Sequence, residues 1–279
     1  MENKVEVRQL VRDSDNFKLG PLSFTIPKGF VTGFIGRNGA GKTTTIRTIL
    51  SLLHHQGTIL VDNQPITSLD YLQDVGLVMD EPILGKDWNM KLVNQAMKVG
   101  YHAWDETCFY QYLRRFGLAE EKKVSQLSRG MKIKLMLAIA LSHQAKLLIL
   151  DEPTSGLDPM MRDEFVSIIQ EFMEKEDHTV LFSTHITQDL EAIADYIIYL
   201  DQGQVVSATT KEDFVDQFRL LKLDEATLHE LQSESILGLK RGQVINEVLV
   251  HQHDPLLVLL LPQSEIVSID KIMSLYGRR

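Results

Sequence analysis

The residues Gly36-Arg37-Asn38-Gly39-Ala40-Gly41-Lys42-Thr43-Thr44 combine three glycines with a lysine and two hydroxyls. Their spacing, G-x-x-x-x-G-K-[ST], is that of a loop that cradles phosphate. Glycine lets backbone approach an anion closely. Loop N–H groups and the helix N-terminus behind them offer the anion partial positive charge. Lys42 is placed to reach the outer phosphates of a nucleoside triphosphate, and the Thr43 hydroxyl to hold magnesium. A second cluster closes the apolar run Leu147-Leu148-Ile149-Leu150 with Asp151-Glu152. Asp151 would join the metal shell, and Glu152 would take a proton from an attacking water. Alone, that cluster also reads as a strand ending in two solvated acids.

These residues need elements that aim them at one point. Phe30–Ile35 reads as a buried strand and Thr45–Leu50 as a helix, so the glycine loop has the strand–loop–helix setting it requires. Two alternating stretches, 4–11 and Leu22–Ile26, predict antiparallel strands ahead of it. Gly57–Val61 and Val75–Met79 predict further strands, the second ended by Asp80-Glu81-Pro82. From about 87 to 145 apolar residues recur at helical spacing, which predicts a helical insert with Trp88, Tyr101 and Trp104 in its packing. Leu147–Leu150 is unbroken, as in the middle of a parallel sheet. A helix at 162–175, a strand at 179–183, a helix at 187–194 and the hairpin 196–206 follow. Strands alternating with helices predict an α/β fold with a largely parallel sheet. Beyond about 208 the chain predicts a small α/β appendage: a helix start at Thr210, strands near 244–250 and 256–261, and a helix over Val267–Leu275.

Composition narrows the partners. The 279 residues are 44% hydrophobic and 24% charged, ordinary for a globular protein. A net charge of −9 argues against a sequence-independent grip on nucleic acid, which rests on phosphate neutralisation. Cys108 is the only cysteine, so no intrachain disulfide forms and a reducing compartment is expected. Leu256–Leu261, the longest apolar run, is too short to span a bilayer.

Taken in order, Gly36–Thr44, Leu127-Ser128-Arg129-Gly130-Met131, Leu147–Glu152, Ser155-Gly156-Leu157-Asp158 and His185 resemble five motifs of ATP-binding cassette (ABC) ATPases. These are the Walker A, signature, Walker B, D-loop and switch-histidine motifs. The resemblance covers residues 4 to about 207 and is that of a transporter's nucleotide-binding subunit. It implies a P-loop NTPase with ABC architecture: a mixed sheet core, an antiparallel β subdomain and a helical subdomain at about 87–145. An ABC ATPase domain at 1–207 and an accessory domain at 208–279 are the expected organisation.

The resemblance also implies how the residues work. Two subunits, identical or different, sandwich ATP and Mg2+. Gly36, Arg37, Asn38, Gly39, Ala40, Gly41, Lys42, Thr43 and Thr44 hold the phosphates from one side; Ser128, Arg129 and Gly130 of the other subunit close over them. Glu152 and His185 are the expected catalytic residues, Asp158 couples the two sites, and Thr43, Asp80 and Asp151 hold the metal. The sequence departs from the family at three places. Asp80 stands where a glutamine is common, and a carboxylate can ligate magnesium directly. Arg129 and Met131 replace a glycine and a glutamine of the signature. The usual adenine-stacking aromatic falls near Ser14, leaving Phe17 as the substitute.

Asp80-Glu81-Pro82 and the short appendage resemble bacterial exporter ATPases for peptides and antimicrobials, of modulin or bacteriocin type. A separate transmembrane permease would then dock near Asp80–Met90 and hold the chain at the cytoplasmic face of the membrane. An ABC ATPase acting on nucleic acid or the ribosome competes with this reading. Between Thr44 and Leu127, however, there are no sustained heptads, and the chain has one motif set. An ATP-binding regulatory module is the other competitor.

Overall fold

A computed structural model describes all residues except 1, 15–16, 232, 255–259 and 279. The chain divides into two compact units, Met1–Val206 and Ser207–Arg279.

The first unit is built on two sheets. Strands β1 (Asn3–Ser14), β2 (Phe17–Pro27), β4 (Gln56–Val61) and β5 (Gln64–Pro65) form an antiparallel sheet in the order β2-β1-β4-β5. The other has the order β10-β9-β3-β8-β7-β6, with β3 at Val31–Ile35, β6 at Val75–Val78 and β7 at Leu147–Asp151. It continues with β8 (Thr179–Thr184), β9 (Tyr196–Asp201) and β10 (Gln204–Thr210), the last of which runs across the division between the units at 206 and 207. β6, β7, β8, β3 and β9 run parallel, and β3, β7 and β8 are buried along their whole length. That two-sided burial explains their unbroken apolar sequences. Val5, Val7 and Ile59 of the antiparallel sheet pack in one core with Ile46 and Ile49 of helix α1 (Lys42–Ile49) and with Phe34, Ile149 and Leu181.

The expected insert is helical, in three pieces: α2 (Met90–Gly100), α3 (Glu106–Arg115) and α4 (Arg129–Ser142). Each starts on a polar cap: Asn89 accepts from Leu92 N–H, Asp105 from Cys108 N–H and Ser128 from Met131 N–H. Tyr101 stacks on His143 and Trp104 packs on Phe109 within the insert. α5 (Pro159–Met173) and α6 (Thr187–Ile193) complete the unit. α5 begins as its sequence suggests, with Asp158 as cap and proline in the first turn.

Among its described residues the second unit carries a sheet ordered β12-β13-β11-β14 and three short α-helices. Its strands are β11 (Phe218–Leu223), β12 (Gly238–Lys240), β13 (Asn246–His251) and β14 (Glu265–Ile266). The helices are α7 (Lys211–Asp216), α8 (Glu225–Glu230) and α9 (Ile269–Leu275). β11 was not expected: Arg219 and Lys222 interrupt its apolar residues and hide its period. The strand expected at 256–261 lies mostly outside the described residues.

Candidate active site

Open parallel sheets bind ligands beyond the C-terminal ends of their strands. Four strands of the first unit end at one such place. β3 runs into Gly36, β6 into Met79-Asp80, β7 into Glu152 and β8 into His185. The cleft there has a volume of about 850 Å³ and is lined by Asn38, Thr43, Arg47, Met79, Asp80, Glu81, Arg129, Asp151, Glu152, Ser155 and His185, among others.

The loop after β3 is held by its glycines. A Cβ on Gly36 would lie 2.3 Å from the Leu200 carbonyl oxygen, so a side chain there would push the loop off β9. Gly41 has φ of 109°, and a Cβ there would lie 2.6 Å from Leu19. The half-buried Phe17 ring packs against the same glycine and against Gly203. It therefore stands beside the start of α1.

Lys42 is 5% exposed. Its ammonium donates to the Gly36 carbonyl at 2.7 Å and lies 3.2 Å from Glu152 Oε1. The other Glu152 oxygen, Oε2, lies 2.6 Å from His185 Nδ1. Lysine, glutamate and histidine thus form one continuous polar chain across the ends of β3, β7 and β8. Glu152 has φ of 51°, a left-handed conformation that costs a non-glycine residue about 1 kcal/mol or more. The turn points its carboxylate between Lys42 and His185. Asp151, also 5% exposed, accepts a hydrogen bond from Ser183 Oγ at 3.0 Å. Ser183 was missed in the sequence; only the β7–β8 register, which sets it opposite Asp151, reveals it.

The remaining expected residues divide. Ser128 and Gly130 stand at the start of α4. The Asp158 side chain caps α5 by accepting from Met161 N–H at 3.0 Å. Asp80 does line the cleft with Thr43 and Asp151, but its carboxylate is taken by Arg129, with Nη2 to Oδ1 at 2.6 Å. Its neighbour Glu81 accepts from Lys132, and that ammonium holds the Glu81 carboxyl below its ordinary range. Neither pairing was expected.

A glycine loop on a helix start, a buried lysine and a paired carboxylate–histidine define a nucleoside triphosphatase site. Comparison with known proteins makes the class specific. The ABC transporter family pattern matches residues 19–155. Lantibiotic transport ATP-binding protein SrtF of Streptococcus pyogenes is 36% identical over 195 residues, 67% of this chain and 82% of that protein. Bacitracin transport ATP-binding protein BcrA of Bacillus licheniformis is 31% identical over 238 residues, 83% of this chain and 76% of that protein. A solved ATP-binding subunit of an ABC transporter superposes with a TM-score of 0.68 at 26% identity, covering 76% of this chain and 92% of that one. The chain belongs to the ABC transporter ATP-binding family. It is an ATP-binding subunit with ATPase activity coupled to transport.

Proposed function

We propose that the chain hydrolyses MgATP to drive export of peptides or antimicrobial amphiphiles through a separate permease. One observation supports the hydrolytic role above the others: Glu152 lies between Lys42 and His185 at 3.2 and 2.6 Å. A group that only binds ATP as a switch has no need of a base in that position. Residues 36–44 cradle the phosphates, and Lys42 offsets charge that develops on them. Glu152 takes the proton of the attacking water as oxygen bonds to the γ-phosphorus and the bond to ADP breaks. His185 holds Glu152 and the water in line. Thr43 and the buried Asp151 are hard oxygen donors in one cleft, a set that suits magnesium. When bound, that ion would neutralise charge on the triphosphate oxygens. Ser128 and Gly130 of a second subunit would close the site, and Asp158 would link the paired sites. On this reading residues 1–207 form the ATPase domain and 208–279 an accessory domain.

Among the described residues no helix is long and apolar enough to cross a membrane. An apolar groove of about 200 Å³ lies beside the cleft, lined by Leu77, Met79, Pro82, Ile83, Met97 and Met136, among others. Ile83 is 75% exposed on its rim. This is where a permease segment would dock, holding the chain at the cytoplasmic face. The relatives named for lantibiotic and bacitracin transport support the class of cargo. The test is purification of the tagged full chain from membranes of its own host. An integral membrane protein should co-purify, and Ile83→Asp should release it. Recovery of ribosomes or nucleic acid in its place would overturn the proposal.

A further inference from the structure

Two of the departures from the family pattern meet in space. Asp80 stands at the glutamine position and Arg129 at a glycine position of the signature, and their side chains pair at 2.6 Å. The guanidinium also lies beside Gly156, its Nη1 3.4 Å from where a Cβ there would stand, and the pair is partly exposed, with Arg129 at 42% and Asp80 at 68%. One turn on, the Lys132 ammonium donates to both Glu81 oxygens, at 2.9 and 2.7 Å. The segment after β6 is therefore clasped twice to the first turn of α4.

The cleft wall explains why such a clasp is needed. Asp80, Glu81, Asp151 and Glu152 all line it. A triphosphate brings its own negative charge, and an unpaired carboxylate at the wall repels it. Asp151 accepts from Ser183 and is a proposed magnesium donor, and Glu152 has Lys42. Asp80 has Arg129.

We propose that Arg129 is a positioning residue for nucleotide binding within its own subunit. It neutralises Asp80 at the wall of the triphosphate cleft and holds the Asp80-Glu81 segment on α4. The proposal rests on the ATPase reading above. It assigns Asp80 to Arg129 in place of magnesium, and Arg129 to its own subunit's cleft in place of the partner's phosphate.

The signs of the effects separate these assignments. MgATP affinity is measured by calorimetry on the full chain, at concentrations where light scattering shows a monomer. Arg129→Ala leaves Asp80 unpaired and should weaken MgATP by about fivefold or more, the size expected of one added like charge near the surface. Asp80→Asn leaves an extra cation and should tighten it. The double variant should return to within about twofold of wild type, the signature of a pair that acts through mutual neutralisation. Arg129→Lys, which keeps the charge, should stay near wild type. If Arg129→Ala and the double variant are weakened equally, Arg129 meets the nucleotide itself and the proposal is wrong. It is equally wrong if Asp80→Asn alone weakens binding in magnesium but not in EDTA, the result for a metal ligand. Failure of wild type to bind MgATP would overturn the ATPase reading instead. Thermal melting of each variant separates lost affinity from lost fold.

Discussion

Replacing Glu152 with glutamine keeps the side chain's length and removes its charge, which tests its two roles at once. As base, Glu152 contributes through proton transfer, so turnover should fall about 10²- to 10⁴-fold. As partner of Lys42, it should act in the opposite direction on binding. Opposite unit charges 3.2 Å apart attract by about 5 kcal/mol at an effective dielectric of about 20. Desolvation cancels most of that for a pair this buried, and about 1–2 kcal/mol remains. Wild-type MgATP must draw Lys42 from the carboxylate; in the variant no carboxylate competes. Glutamine can still meet His185, and the Lys42 bond to Gly36 is untouched. MgATP should therefore bind Glu152→Gln about tenfold more tightly, the equivalent of about 1.4 kcal/mol. Phosphate release and equilibrium binding, measured on the same preparation, read the two roles apart. Wild-type turnover would refute the base assignment. Slow turnover with weakened binding would refute the competition for Lys42.

Three further outcomes are expected. Asp158→Ala should destabilise the chain by about 1 kcal/mol through loss of the α5 cap. Asp158→Asn should keep the cap, so any change it makes in the cooperativity of ATP hydrolysis reports the coupling role, and an unaltered profile argues against it. Phe17→Leu preserves apolar packing and removes the ring; if the ring stacks on adenine, ATP affinity should fall by about three- to tenfold. An unchanged affinity would leave Phe17 as core only. Burial pushes the His143 and His178 imidazoles below the ordinary histidine value. The unfolded chain then binds those protons more readily than the folded one. Stability should be complete above about pH 6.5 and should decline as pH falls through the folded values. Urea midpoints at pH 7.5 and 5.5 test this, and His143→Phe should flatten the difference.

The strands that carry the site were legible because burial on both faces leaves an unbroken apolar signature, as in Leu147–Leu150. The chemistry was legible for a related reason. Each motif follows its strand directly, so Gly36, Glu152 and His185 needed only the rule that parallel strands deliver their ends together. The appendage was harder to read. Gly238–Lys240 is a three-residue strand, and Glu225–Glu230 is a helix too short to show a period.

The partners of the charged residues were not legible at all, and Asp80 shows why. Taken alone, a carboxylate beside Thr43 and Asp151 suggests a third oxygen for magnesium. Its neighbour in space, Arg129, belongs to another motif on another element. A sequence read motif by motif assigns each charged side chain to the ligand the motif implies. In the folded chain each charge must first settle with whatever lies within a few ångströms. Lys42 settles on Glu152, and Arg129 on Asp80. On the proposed reading, nucleotide affinity is set by the difference between two sets of ion pairs, so removing an acid should strengthen binding to an anion. If the proposed pairings hold, the common expectation that loss of a binding-motif residue weakens binding should fail for this cleft at Asp80 and Glu152.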